Sequence, residues 1–363
     1  MHECFELAKN GLGRTSPNPA CGAIVLDKNG TPVGKGYHKS AGGDHAEVLA
    51  IKEADKKTQG GTLVVNLEPC CHTGKTPPCT DLIIKSQIKE VIFSTYDPNP
   101  QVYQKGEKIL LENQVKVISR VLESEGFELN KFFFKWIKTK LPWVTLKQAQ
   151  TFDGKVALKD TSNTCISSES SRIEVHKLRN TYDAILVGAN TVNLDNPNLT
   201  VRDLKDTDAR NPIRVILDPR LTTNPLSNVY KNNSKVILVT VLGHPKEKLM
   251  SYIEKSSNSK IEIIELPKYQ NDRIDLKNLF YELGKINILS ILIEAGPTLG
   301  TELVVNNLID EYILFISPKI FGEGGIPSFS CNTAGYSSIS TNFRLFNYKA
   351  IGNDLMLSYK TKI

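Results

Sequence analysis

HAEVLAIKEADKKTQGGTLVVNLEPCCHTGKTPPC, residues 45–79, decides the fold of the first half of the chain. It opens with a helical run, His45–Ala54, and passes through a β-rich run, Thr62–Asn66. It then ends in a loop with Gly74, Pro77 and Pro78 before a second helical run, Cys79–Ser86. His45, Cys70 and Cys79 stand at the ends of these runs, and the acid Glu47 lies two residues from the imidazole. One imidazole and two thiolates occupy three of the four tetrahedral positions of zinc and leave the fourth for water. Zinc lowers the pKa of that water to ~7 in well-tuned sites. Glu47 is spaced to take the proton and hand it to a ring nitrogen and a departing amine. The pattern predicts hydrolytic deamination.

H-x-E with P-C-x-x-C is the signature of zinc deaminases that act on bases. Here eight residues, Cys71 to Pro78, separate the two cysteines. Cys70 and Cys79 therefore converge only if CHTGKTPP forms a loop bulging from the helix N-terminus, which its glycine and paired prolines suit. Cys71 and His72 are rival ligands in the same loop. Neighbours on a chain do not easily point at one ion, so both rank below Cys70 and Cys79.

Outward from this stretch, Cys21–Asp27, Val33–Tyr37 and Glu90–Ser94 also look like strands, and Gly106–Asn113 looks like a helix. One long amphipathic helix is expected from Leu122 to Ile137, and Lys138–Pro142 breaks it. With 363 residues the chain is too long for one ordinary core, so two α/β domains are expected, 1–142 and 143–363. Apolar runs at Val144–Ala149, Ala184–Val187, Ile213–Leu217, Lys235–Val239, Ile261–Ile264, Ser290–Glu294 and Glu311–Ile316 give the second domain a sheet flanked by helices. No internal repeat is visible.

Composition narrows the function classes. Residues are 40% hydrophobic and 23% charged, and no apolar run is long enough to cross a bilayer, so a membrane role has no support. The start, MHECFELAKNGLG, reads as a helix and not as a secretory signal. Seven cysteines is an odd number, and three of them crowd into one loop, which suits metal chemistry in a reducing, cytoplasmic compartment. The net charge of +6 comes from scattered lysines and suits small anions as well as nucleic acid. A tRNA or other nucleic-acid base deaminase with a C-terminal binding module would explain the metal pattern and the charge. It would not explain NPNLTVR at 196–202 or EAGPTLG at 294–300. A zinc-stabilised interaction protein would need a fully enclosed metal and an incidental Glu47.

Ser16-Pro17-Asn18-Pro19 with Cys21-Gly22, HAE at 45–47, EPCCHTGKTPPC at 68–79 and DPNPQV at 97–102 together resemble the bifunctional deaminase/reductase family of riboflavin biosynthesis. In the second half, TFDGK at 151–155, VGANTV at 187–192, DNPNLTVR at 195–202 and EAGPTL at 294–299 are similar to the family's reductase domain. The resemblance implies a cytidine-deaminase-like three-layer domain followed by a dihydrofolate-reductase-like domain. The first would deaminate 2,5-diamino-6-(5-phosphoribosylamino)pyrimidin-4(3H)-one with zinc. The second would reduce the ribosyl group of 5-amino-6-(5-phosphoribosylamino)uracil to ribityl with NADPH. His45, Cys70 and Cys79 fall on the zinc positions, Glu47 on the proton shuttle, and Asn18 and Lys75 on substrate positions. Asn163, Arg179, Leu199, Arg202 and Glu294 match substrate positions of the reductase. Ala149, Cys165, Thr191, Asp195 and the turn Gly296-Pro297-Thr298-Leu299-Gly300-Thr301-Glu302 match its cofactor positions. A homo-oligomer is expected from the same resemblance, with no nucleic-acid or membrane partner.

The residues of the second domain support this reading on their own chemistry. A strand ending at Glu294, a turn of small residues and a helix expected from Thr301 would bring backbone N–H groups to an anion such as a pyrophosphate. Arg179 and Arg202 offer rigid forks of donors to a substrate phosphate. Cys165 departs from the large aromatic common in the family and would widen the cofactor pocket. Asp153, Asp195 and Glu294 are the acids in the matching segments, and spacing does not choose among them as proton donor.

Overall fold

A computed structural model describes residues 1–73, 77–159, 165–202, 204, 209–256, 259–269, 273–330 and 341–361. It divides into two compact units, Met1–Leu141 and Pro142–Ile363, one residue from the boundary expected from the sequence.

In the first unit helix α1 (His2–Lys9) leads into the hairpin β1 (Gly22–Leu26) and β2 (Pro32–Tyr37), and α2 (Ala46–Ala54) returns across it. Small residues set how closely they meet. A methyl group on Gly34 would lie 2.1 Å from the Ala50 carbonyl oxygen, and one on Gly36 would lie 2.5 Å from that of Ala46. The alanines at 46, 50 and 54 thus rest on bare strand backbone. Strands β3 (Thr62–Leu67), β4 (Glu90–Thr95) and β5 (Lys116–Ile118) complete the sheet in the order β2-β1-β3-β4-β5. β1 is antiparallel to both neighbours, whereas β3, β4 and β5 run parallel.

Helices α3 (Cys79–Lys85) and α4 (Lys105–Glu112) join α2 on one face, where Ile83 and Leu110 pack with Leu63, Val65 and Phe93. Cys4 of α1 packs on Ile24 and Val64 of the other face. This is the three-layer arrangement the sequence implied.

The single helix expected over 122–137 is two, α5 (Glu123–Leu129) and α6 (Lys131–Thr139). Asn130 leaves helical geometry at φ −109° and ψ 21°. Its buried amide accepts the Ala20 N–H at 2.8 Å and donates to the Ala20 carbonyl at 3.0 Å. A side chain that satisfies two backbone groups of a distant segment outweighs one more helical residue.

The second unit opens with β6 (Trp143–Thr151), β7 (Lys155–Leu158), α7 (Glu169–Thr181), β8 (Ala184–Gly188), α8 (Ala189–Asp195) and β9 (Ile213–Leu217). It continues with β10 (Lys235–Val241), α9 (Lys246–Lys255), β11 (Lys260–Leu266), α10 (Leu276–Lys285), β12 (Ser290–Glu294) and α11 (Pro297–Val305). It ends with β13 (Glu311–Ser317), β14 (Gly325–Pro327), β15 (Phe343–Ile351) and β16 (Asp354–Thr361). The main sheet runs β11-β10-β9-β8-β12-β6-β13-β16-β15, parallel up to β13 and antiparallel beyond it. Ile291, Leu292 and Ile293 have no exposure, as a central parallel strand covered on both faces requires.

Two sequence expectations change here. Helix α11 begins at Pro297 and not at Thr301, so the expected turn Gly296–Glu302 is the cap and first turns of a helix. Proline lacks the N–H that the first helical position cannot use anyway, and its fixed φ suits that place. The hairpin β15–β16 was not read from the sequence, because residues 344–350 are exposed on both faces and show no buried period.

Gly34→Ala is expected to push α2 off the sheet and destabilise the first unit by about 1–3 kcal/mol. Chemical denaturation followed separately in the two units should show the loss in residues 1–141 only.

Candidate active sites

His45 is the N-cap of α2, with extended backbone at φ −70° and ψ 161°, so its ring projects from the helix end. Cys70 follows the exit of β3, and Cys79 is the first residue of α3. His45 Nδ1 lies 3.5 Å from Cys70 Sγ and 3.4 Å from Cys79 Sγ, and the three donor atoms all fall within 4.8 Å of one another. Tetrahedral zinc with ordinary bond lengths separates an imidazole nitrogen from a thiolate by about 3.6 Å. The donor set and its spacing fit zinc.

The cluster by itself favours the ligating form of Cys70 alone: its hydrogen bonds raise the Cys79 thiol and hold the His45 ring protonated up to about 9. The Cys79 backbone N–H donates to Cys70 Sγ at 3.4 Å. The hydrogen bond from the Cys79 side chain, assisted by His45, holds the Cys70 thiol down to about 4. Cys71 turns its thiol to the Gln101 carbonyl at 3.6 Å, away from this cluster. Lys75 lies outside the described residues.

His45 and Cys70 open on a cavity of about 300 Å³ whose lining also includes Asn18, His38, Glu47, Asp97 and Asn99. Glu47 is buried in the first turn of α2, and burial raises its carboxyl above the ordinary range. His38 Nδ1 lies 3.0 Å from the Asp44 carbonyl, which can only accept, so this nitrogen carries the proton. Its Nε2, 3.1 Å away from Asn18 Nδ2, must then accept from that amide. The neutral His38 ring thereby fixes which way the Asn18 amide faces. Burial pushes the Asp97 carboxyl up to about 7. His38 escaped the sequence reading because its partner is a backbone carbonyl. Asp97 was visible within DPNP but had no role.

In the second unit Glu294 ends β12 and is the register partner of Lys147 on β6. Arg179 of α7 donates to both Glu294 oxygens, Nε at 2.7 Å and Nη2 at 3.0 Å, and its Nη1 donates to the Thr200 carbonyl at 3.1 Å. Lys147 Nζ lies 3.9 Å from Glu294 Oε2. Burial would raise the Glu294 carboxyl, but Arg179 and Lys147 more than offset it and hold it down to about 2. Burial, in turn, lowers the Lys147 ammonium. Lys147 is the residue that sequence reasoning missed, and its signal was a lysine inside an apolar strand run.

The other expected residues that the structure describes are spread over several elements of the second unit. Ala149 lies on β6, Thr191 and the exposed Asp195 lie on α8, and Pro297, Thr298 and Leu299 form the partly buried start of α11 after its cap Gly296. Gly300 backs onto Gln148, and buried Thr301 accepts the Ser330 N–H at 2.8 Å. Glu302 pairs with Arg273 at 3.6 Å. Leu199 is buried with φ +52°, and the Arg202 side chain is exposed. Cys165 is exposed, with Arg172 Nη1 2.8 Å from its sulfur. Asn163 lies outside the described residues. Asp153 is spent on backbone, accepting the N–H groups of Phe321 at 3.2 Å and Gly322 at 2.7 Å.

Comparisons with known proteins agree with both halves. Residues 1–95 match the family described as the cytidine and deoxycytidylate deaminase zinc-binding region, and residues 142–357 match the RibD C-terminal domain. The chain is 40% identical to riboflavin biosynthesis protein RibD of Aquifex aeolicus, over 99% of this chain and 97% of that one. Among solved structures, Acinetobacter baumannii RibD superposes with a TM-score of 0.87 at 32% identity, covering 100% of this chain and 98% of that one. A diaminohydroxyphosphoribosylaminopyrimidine deaminase/5-amino-6-(5-phosphoribosylamino)uracil reductase from Thermotoga maritima gives 0.85 at 35% identity, covering 100% and 97%. Fold and sites define a zinc deaminase and a reductase carried on one chain. The chain belongs to the RibD family of bifunctional riboflavin-biosynthesis enzymes.

The Glu294 carboxyl sits at about 2 when folded against an ordinary 4.5, so its stabilising effect is complete above pH 4.5 and lost as pH falls towards 2. Glu294→Gln leaves two buried cations short of their counter-charge and should cost the second unit about 3–5 kcal/mol at neutral pH. In urea unfolding at stepped pH, the gap between variant and parent should close across that acid window.

Proposed function

We propose that His45, Cys70 and Cys79 hold the zinc, that Glu47 is the deaminase proton shuttle, and that Lys147, Arg179 and Glu294 form the reducing corner of the second unit. The observation that carries the first part is the convergence of three metal donors, two of which, His45 and Cys70, line the cavity that also holds buried Glu47. When bound, zinc supplies Lewis acidity and a water nucleophile at neutral pH. Glu47 would carry protons from the attacking water to the pyrimidine ring nitrogen and the leaving 2-amino group. The water oxygen ends as the new ring carbonyl and ammonia departs. Asn18, oriented by His38, offers its amide oxygen to a pyrimidine N–H, and Lys75 is assigned to the phosphoribosyl end on the family pattern alone.

In the second unit NADPH, when bound, supplies the hydride that converts ribosyl to ribityl. The α11 start, Gly296 to Glu302, offers N–H groups to the cofactor phosphates, with Ala149, Cys165, Thr191 and Asp195 as its further contacts. The accompanying proton needs a donor. Asp153 is committed to backbone, Glu294 is held ionised, and a guanidinium does not give up its proton. Asp195, whose carboxyl burial raises, lies apart at the end of α8, and Lys147, whose ammonium is destabilised by burial, is the donor in contact with Glu294. Arg179, with three donors engaged, orients Glu294. Exposed Arg202 is the better-placed fork for the substrate phosphate, with Leu199 in the same segment, and Asn163 is assigned to the substrate on the family pattern alone.

A cavity of about 300 Å³ suits one phosphorylated pyrimidine. Thiolate ligands favour a reducing cytoplasm. The edge strand β15, which exposes Leu345, Phe346 and Tyr348, supports self-association.

Glu47→Gln should lower ammonia release from the diaminopyrimidine phosphoriboside by about 10²–10⁴-fold with zinc retained, while NADPH oxidation with supplied aminouracil product continues. Lys147→Met should do the reverse. Loss of zinc in the first variant, or both activities surviving in both variants, would refute the assignments.

A further inference from the structure

Glu68 has no task in the reaction described above, yet it is 2% exposed and stands two residues before a metal ligand. Its carboxylate accepts backbone N–H groups from a different segment. Oε2 takes those of Gln104 at 3.1 Å and Asp97 at 3.4 Å, and Oε1 takes that of Glu107 at 3.2 Å. Gln104 is the N-cap of α4, sits at φ +58° and makes no side-chain cap of its own. The first N–H groups of a helix have no partner within it. Glu68 supplies that cap from the exit of β3.

The fit is close. A methyl group on Gly106 would lie 2.3 Å from the Pro69 carbonyl oxygen and 3.2 Å from Glu68 Oε1. Ahead of the helix, residues 97–104 form one hydrogen-bonded turn. Asp97 Oδ1 accepts the Asn99 N–H at 2.8 Å, Asn99 Oδ1 accepts that of Gln101 at 3.1 Å, and the Asn99 carbonyl accepts that of Val102 at 2.8 Å. Glu68 grips this turn at both ends, through Asp97 and through Gln104. Asp97 and Asn99 line the cavity that holds His45 and Glu47. The motifs EPC and DPNP, 29 residues apart from Glu68 to Asp97, are thereby two halves of one device.

We propose that Glu68 is a positioning residue for the deaminase: by capping α4 and both ends of the 97–104 turn, it holds Asp97 and Asn99 in place as the substrate-facing wall of the pocket. Two of the three metal donors, His45 and Cys79, are fixed by the ends of α2 and α3, and Cys70 is held to them by the Cys79 N–H, so zinc content separates a loss of this grip from a loss of the ligand loop.

The inference rests on the deaminase reading of the first unit. The test uses the full chain loaded with zinc and two variants, Glu68→Gln and Gly106→Ala. Glutamine keeps one acceptor oxygen and turns an NH₂ group towards donors, whereas the alanine methyl wedges α4 away while leaving Glu68 intact. For each, KM and kcat of ammonia release, bound zinc, and NADPH oxidation with supplied aminouracil are measured. Both variants are expected to raise KM by about 10-fold or more, with zinc content and the reductase rate unchanged.

An unchanged KM in Glu68→Gln overturns the proposal, as does a KM rise that tracks loss of zinc, which would make Glu68 a support of the ligand loop. If the first unit of Glu68→Gln does not fold, as the loss of its own denaturation transition would report, Gly106→Ala decides on the same criteria. A parent that releases no ammonia would instead overturn the deaminase reading itself.

Discussion

The first unit depends on bringing one imidazole and two thiols, from three separate segments, within 4.8 Å of one another. Thiolates are costly to bury, and two helix starts reduce that cost. Cys79 opens α3 with its own N–H directed at Cys70 Sγ, and His45 caps α2. The requirement spreads through the packing. α2 can present His45 and Glu47 to the cavity only because its alanines lie against Gly34 and Gly36, which sets the depth of its first turn.

The second unit solves a similar problem without a metal. Parallel strands deliver their C-terminal ends to one edge of the sheet, where ligands of such folds bind. Register makes Lys147 and Glu294 neighbours, and α7 lays Arg179 across them. A buried carboxylate that would otherwise take up a proton stays ionised because two cations face it. In the first unit a cation must arrive from solution; in the second the chain carries its own.

What the sequence made legible was local. His45, Glu47, Cys70 and Cys79 sit in one stretch of 35 residues, and their types state their chemistry before any fold is known. The central strands were legible because burial on both faces leaves near-continuous apolar runs. Long-range partners were not. Nothing near Asn130 announces Ala20, and nothing near Lys147 announces Glu294, so the broken helix and the reducing corner appear only in three dimensions. Proline at 297 could have marked the start of α11, but the small residues around it read equally well as a turn. The hairpin β15–β16 carries apolar residues on exposed faces, where periodicity has no meaning.

Arginine at position 179 shows how a correct residue type can carry a different task from the one its chemistry first suggests. A guanidinium fork suits a phosphate, yet here the fork closes on Glu294 with a third donor on a backbone carbonyl. Opening it to grip a phosphate would strand a buried carboxylate, a large penalty for a contact that exposed Arg202 can make with little loss. The same pairing constrains the proton. Glu294, tied to Arg179, is a poor acid, and burial, with a smaller push from Arg179, destabilises the Lys147 ammonium against the opposing pull of Glu294. The guanidinium does not release its proton, and the strand register sets the Lys147 ammonium beside Glu294, which is why the proposed reduction draws on Lys147.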